Sequence, residues 1–287
     1  MKSVETSTVT RFAPSPTGLL HLGHAFSALD AHDAAGSGGG FLLRIEDIDR
    51  GRCRREFEEA IFEDLEWLGL SWDMPVRRQS EHFDAYRAAL NELRRMGLLY
   101  SCFCTRADIR REIESASAAP HPISTGPDGP VYPGTCRTLT DSERKRRVDE
   151  GEPYALRLRM AEACTGAGAL SWTDTVRGEI QAEPRIFGDV VLGRKDIPTS
   201  YHLACAHDDA LQGITLVTRG EDLFSSTHVH RLLQALLNLP TPLYRHHRLI
   251  MDKSGKKFSK RDHAVTLRSM REAGRSAEDV IGELRKA

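Results

Sequence analysis

Apolar and polar positions in the first hundred residues alternate between strand-like and helix-like spacing. Thr8-Val9-Thr10-Arg11-Phe12-Ala13 reads as a short strand, and Pro14-Ser15-Pro16-Thr17-Gly18 as a turn that no helix crosses. A helical pattern runs over residues 21–35 and ends in Gly36-Ser37-Gly38-Gly39-Gly40. Residues 41–45 form a compact apolar run between turn signals, which predicts a second strand. Phe57, Ala60, Ile61, Leu65 and Leu68 share one helical face closed by Gly69; Phe83, Tyr86, Leu90 and Leu93 share another, stopped at Gly97. Strand alternating with helix predicts an α/β fold, a Rossmann-like doubly wound parallel sheet.

The middle of the chain changes character. Ser, Ala, Pro and Gly dominate residues 115–133, which predicts a long mobile loop. Residues 141–150 read as a charged helix. Its run Arg144-Lys145-Arg146-Arg147 reads as a solvated face and a candidate contact for RNA. Residues 154–159 alternate with period two, as a half-exposed strand does, and strand-like pieces follow at 170–176 and 187–193. The α/β pattern returns from Tyr201. It brings a strand at 214–217, a helix carrying Val229, Leu232, Leu233 and Leu236 that ends before Pro240, and a last helix at 276–285. The expected organisation is a catalytic domain in two halves, 1–99 and 186–262. A small α+β domain is inserted at 100–185, and a short helical tail follows at 263–287.

Composition narrows the picture. The 287-residue chain has no apolar run near the ~18 residues that span a bilayer, and its first residues lack signal-peptide shape. The expectation is a cytoplasmic protein with no membrane partner. A net charge of −1 excludes a dominating basic surface, though not a local patch. Six cysteines are too few for a disulfide scaffold. Cys53, Cys164 and Cys205 read as isolated small residues, whereas Cys102, Cys104 and Cys136 cluster. Three thiolates in a reducing compartment suggest tetrahedral zinc, and metal chemistry alone nominates His121 as the fourth ligand.

Two further constellations carry chemistry. His21-Leu22-Gly23-His24 follows a strand and a turn and opens a helix, where free backbone N–H groups suit a phosphate. Gly23 removes a side chain and admits a flat base, and the two histidines lie on one side of the first turn, where both can donate to a phosphate. Lys257-Phe258-Ser259-Lys260-Arg261, near the other end, places lysines as mobile charges for a departing pyrophosphate.

With H-x-G-H early and K-x-S-K late, the chain resembles the class I aminoacyl-tRNA synthetases. Arg11-Phe12-Ala13-Pro14-Ser15-Pro16-Thr17-Gly18, Arg44-Ile45-Glu46-Asp47-Ile48-Asp49 and Asp189-Val190-Val191-Leu192 are similar to phrases of the glutamyl branch. The resemblance runs to about residue 262. Only a short tail follows Arg261, and Ile48 and the Arg52-Cys53 pair also look like the truncated glutamyl-queuosine tRNA(Asp) synthetase family. That resemblance implies a ligase that activates L-glutamate with ATP and Mg²⁺ and transfers it to the queuosine base in the anticodon of tRNA(Asp); the expected state is a monomer. It implies His21, His24 and Lys260 as catalytic residues, with Gly23 beside them in the ATP site. It implies Arg11, Phe12, Ala13, Pro14, Ser15, Glu46, Tyr201 and Arg219 in the glutamate site. Read without it, Tyr201 is a core-edge residue and Arg219 pairs with Glu221 or Asp222. Tyr132-Pro133-Gly134-Thr135-Cys136-Arg137 matches the family phrase Tyr-x-Gly-x-Cys-Arg, so the resemblance implies one structural Zn²⁺ on Cys102, Cys104, Cys136 and Tyr132, with His121 as the alternative. The rival readings are a minimal glutamyl-tRNA synthetase, another H-x-G-H nucleotidyltransferase and a non-catalytic zinc-bearing RNA-binding paralogue.

Overall fold

Strand β1 (Val9–Phe12) leads through the proline-rich turn into helix α1 (Leu22–Ala35). Then come β2 (Gly40–Ile45), α2 (Arg55–Trp67), β3 (Asp73–Arg78) and α3 (Phe83–Arg95). The chain is seen here in a computed structural model that describes residues 7–117, 125–250 and 265–286. The strands β1, β2 and β3 form a parallel sheet in that order. Edge strand β3 was not legible in the sequence. Its Asp-Met-Pro-Val-Arg-Arg exposes its first three residues, as an edge position tolerates.

The middle region contains β4 (Leu99–Cys102), α4 (Arg106–Ser117), the short pair β5 (Thr125–Gly126) and β6 (Gly129–Pro130), α5 (Asp141–Asp149), β7 (Ala155–Leu158) and α6 (Met160–Ala167). After it come β8 (Ser171–Asp174), β9 (Gly178–Gln181) and β10 (Val191–Gly193). Strand pairing does not follow residue 185. β10 reaches back to pair with β7, giving an antiparallel sheet β10-β7-β4, while β8 and β9 join the sheet of the second half. The loop expected at 115–133 contains the end of α4 and the β5–β6 hairpin among its described residues.

The second half comprises α7 (Tyr201–Leu211), β11 (Leu216–Gly220), α8 (Ser226–Leu236) and β12 (Leu243–His247). Its sheet runs β11-β12-β8-β9, with the first three strands parallel. The two sheets meet at β1 and β11. Thr215 donates its backbone N–H to the Val9 carbonyl at 3.0 Å, and Val9 returns one to the Thr215 hydroxyl at 2.8 Å. The carboxyl ends of β1 and β11 therefore lie side by side, the place where open α/β sheets bind ligands. Helix α7 escaped the pattern because its inward positions include Cys205, Asp208 and Asp209. The last helices, α9 (Leu267–Glu272) and α10 (Ala277–Lys286), are no loose tail: Leu267, Met270, Val280 and Leu284 complete the core around Leu43, Ile45, Ile61 and Leu65.

Candidate active site

At the β1–β11 junction a cavity of about 470 Å³ opens. Its lining includes Arg11, Phe12, Ala13, Pro14, Ser15, His21, Gly23, His24, Glu46, Tyr201 and Arg219, so eleven sequence-nominated residues share one chamber. Lys260 and Lys257 lie outside the described residues, as does His121. Cys205, Thr218, Ser27 and His247 also line the cavity and were not singled out for it from the sequence.

Helix α1 begins at the cavity wall. His21 is its N-cap and accepts the Gly23 N–H on Nδ1 at 3.1 Å. His24 accepts the His21 N–H on its own Nδ1 at 3.2 Å. Each ring thus uses Nδ1 as an acceptor, which places the proton of the neutral imidazole on Nε2. The rings stand 3.8 Å apart, centroid to centroid. A side chain at position 23 would bring a Cβ to 3.1 Å from the His21 ring, so glycine keeps this pair in place.

On the β1–β2 side, two buried guanidiniums share one carboxylate. Arg11 Nε lies 2.9 Å and Arg44 Nη1 2.7 Å from Asp209 Oδ1. Arg44 also donates to Glu46 at 3.1 Å, and Arg11 to the Thr218 carbonyl at 3.0 Å. Burial pushes the Asp209 carboxyl up, but Arg11 and Arg44 outweigh it and hold it well below the ordinary range. Glu46 goes the other way: burial raises it further than Arg44 and Arg11 pull it back. The Cys205 thiol, beside Asp209, is pushed up to about 12 by burial and by that carboxylate, which keeps it protonated. The neighbouring Asp208 accepts from Tyr86 at 2.7 Å and Gln79 at 3.1 Å.

On the β11–β12 side, Arg219 is equally buried and differently partnered. It donates to His246 Nε2 at 3.2 Å, to the Tyr201 hydroxyl and His230 Nδ1 at 3.3 Å each, and to Thr227 at 2.5 Å. Among the described residues it makes no ion pair. The expected alternative partner Glu221 lies against Arg177 instead. Burial holds the Tyr201 phenol well above its usual value, so it stays a donor.

The cysteines form a second centre. Cys102 ends β4, Cys104 follows it, and Cys136 sits in a short helical turn; their sulfurs lie within 4.8 Å of one another. Cys104 and Cys136 Sγ are 3.4 Å apart, and Tyr132 Oη lies 3.4 Å from Cys102 Sγ and 3.5 Å from Cys104 Sγ. Tetrahedral zinc with bonds of about 2.0–2.3 Å needs donors about 3.5–3.8 Å apart, so this donor set fits a closed Cys₃-Tyr site. One residue of the basic run of α5 reaches this cluster. Arg144 donates to the carbonyls of Ser101, Cys136 and Leu139, whereas Lys145, Arg146 and Arg147 pair with Asp149, Glu150 and Glu152.

Residues 7–286 match the family described as tRNA synthetases class I (E and Q), catalytic domain, and the chain belongs to that family. Within it, the chain is 52% identical to a glutamyl-Q tRNA(Asp) synthetase from Rhodobacter capsulatus, over 95% of this chain and 98% of that one. A glutamate–tRNA ligase from Aquifex aeolicus is 41% identical over 96% of this chain, but only 56% of the ligase is covered. Among solved structures, a glutamate tRNA ligase from Elizabethkingia meningosepticum in complex with its amino acid superposes with a TM-score of 0.76 at 32% identity, covering 90% of this chain and 52% of that one. No described helix is long and apolar enough to cross a membrane.

Proposed function

We propose that this protein activates L-glutamate with ATP to glutamyl-adenylate and transfers the glutamyl group to the queuosine base in the anticodon of tRNA(Asp). The observation that carries the reading is the single cavity that joins a buried Arg219, without a carboxylate partner among the described residues, to the paired histidines of α1. A guanidinium of that kind suits the side-chain carboxylate of glutamate. The acceptor is inferred from the relatives named glutamyl-Q tRNA(Asp) synthetase, at 52%, 42% and 44% identity.

In this mechanism the side-chain carboxylate of glutamate takes Arg219 and the Tyr201 hydroxyl, and Glu46 faces its ammonium. Arg11, its charge offset by Asp209, forms the wall with Phe12, Ala13, Pro14 and Ser15. The α-carboxylate attacks the α-phosphorus of ATP in line, and pyrophosphate leaves. His21 and His24 donate from Nε2 to the phosphate oxygens as charge builds there. Gly23 leaves room for the nucleotide, and Lys260 neutralises the departing pyrophosphate. Mg²⁺ accompanies ATP, held by its phosphates and water. A hydroxyl of the modified base then attacks the adenylate carbonyl, forming the ester and releasing AMP. Cys102, Cys104, Cys136 and Tyr132 are proposed to hold one Zn²⁺ that braces the inserted region; with four protein donors it leaves no open position for chemistry.

The test is transfer of labelled glutamate to two RNAs, queuosine-bearing tRNA(Asp) and tRNA(Glu). Label on the first alone is the expected result. Label on tRNA(Glu) alone would make the protein a minimal glutamyl-tRNA synthetase, and label on neither would overturn the acceptor assignment.

A further inference from the structure

The four acceptors around Arg219 are all neutral groups, and two of them are histidines, each with a polar partner on its other ring nitrogen. His246 accepts from Arg219 on Nε2, and its Nδ1 lies 2.7 Å from Asp174 Oδ2. A carboxylate there requires the proton on Nδ1, which leaves Nε2 as the acceptor that Arg219 needs. The same Asp174 accepts the backbone N–H groups of Val176 and Arg177 at 2.9 and 3.0 Å, so its position is set by the β8–β9 turn. On the other side, His230 accepts from Arg219 on Nδ1, and its Nε2 lies 3.3 Å from His202 Nδ1. Both rings are buried. Burial and the nearby guanidinium push His246 down to about 4, and the same causes push His230 well below the ordinary histidine value.

The contrast with Arg11 is informative. Asp209 could neutralise Arg11 directly because a carboxylate stands against it. At Arg219 the carboxylate of Asp174 is set one ring away: it touches His246, not the guanidinium. We propose that His246, held by Asp174, and His230, held by His202, are positioning residues that fix Arg219 without spending its charge, so that the cavity selects an acid bearing a second carboxylate. This inference rests on the glutamate-activating function proposed above and adds the residues that tune its choice of acid. A direct Asp partner would anchor Arg219 equally well but would cancel the charge that separates glutamate from glutamine. Histidine anchors with a lone pair and leaves the full charge in place.

Glutamate-dependent ATP–pyrophosphate exchange tests it on the full chain with His246→Phe, His246→Gln and Asp174→Asn. Phenylalanine keeps the ring against Phe224 and Trp172, whose centroids lie 5.0 and 5.7 Å from that of His246, but offers no acceptor. Expected for His246→Phe is a glutamate KM raised about tenfold, with kcat and the ATP KM within about twofold, and a similar fall in the preference for glutamate over glutamine. His246→Gln, which restores an acceptor, recovers most of that loss, and Asp174→Asn moves in the same direction by less. An unchanged glutamate KM and preference would overturn the proposal, as would a parallel rise in the ATP KM, which marks general distortion. Should His246→Phe fail to fold, the other two variants decide by the same criteria. A wild type without glutamate-dependent exchange overturns the functional reading and this inference together; an active wild type with indifferent variants overturns this inference alone.

Discussion

Arg11 and Arg219 are both buried in one cavity wall, about equally, yet the two halves of the sheet treat them in opposite ways. Arg11 shares Asp209 with Arg44, and Arg44 reaches on to Glu46, so charge on the β1–β2 side is balanced within the protein. Arg219 on the β11 side faces neutral acceptors, and its charge is left for whatever enters. One side pairs its charges within the fold, and the other holds a charge that no described carboxylate cancels, which the proposed function assigns to recognition. The lesson is that burial of an arginine does not say what it is for; its partners do.

The comparison can be broken most forcefully at Asp209. Asp209→Asn should cost about 3–5 kcal/mol in a denaturant melt, because two guanidiniums lose a shared buried counter-ion. Arg219→Met should reverse the balance, costing only about 1 kcal/mol of stability as neutral acceptors lose a donor, while glutamate kcat/KM falls about a hundredfold or more. Equal stability losses in the two variants would erase the distinction.

Acid titration sharpens it, since the two sides titrate in different windows. Folded His246 sits at about 4 against an ordinary value of ~6.5. Between those values the unfolded chain binds a proton that the folded ring refuses, so stability falls as pH drops from about 6.5 to 4. Asp208, beside Asp209, sits at about 2, its burial outweighed by His207 and Arg44. Its contribution is intact above the ordinary ~3.9 and is lost only as pH falls from there toward 2. His246→Phe should flatten the upper window and Asp208→Asn the lower one, each leaving the other slope in place.

The smallest effect on this comparison is expected from the cysteine centre, which serves as its control. The purified protein should carry about one zinc per chain by elemental analysis, and Cys136→Ser should lower that content. Chelation should destabilise the inserted region while leaving both pH slopes unchanged. A metal-free wild type of full stability would refute the zinc assignment.

Much of this was legible along the chain. The strand–turn–helix at residues 8–35 announces itself through proline, glycine and apolar spacing, because turns and caps are local events. His21, Gly23 and His24 could be nominated for the same reason: an N-cap and its first turn are written in consecutive residues. The cysteine cluster was visible because soft ligands are rare and closely spaced. Helix α7 was not visible, since Cys205, Asp208 and Asp209 interrupt the inward apolar positions of Leu203, Ala204 and Ala206, and its inward polar groups make sense only once Arg11, Arg44 and Tyr86 arrive from elsewhere. The same holds for the basic run of α5, where one of its four basic residues turns inward and three meet acids of their own helix or just beyond it.

Residue types and local spacing were therefore enough to specify the α/β class and to nominate the turn that carries His21, Gly23 and His24, while the family resemblance nominated most of the other cavity residues. They were silent on charge pairing. Arg219 lies beside Glu221 and Asp222 in the chain and could have been cancelled by either, yet its anchors are His230 and His246, brought in by α8 and β12. Which ions meet depends on long-range packing of strands far apart in sequence, and no period or propensity carries that information. Folding decided that Arg11 and Arg44 meet a carboxylate and that Arg219, among the described residues, does not.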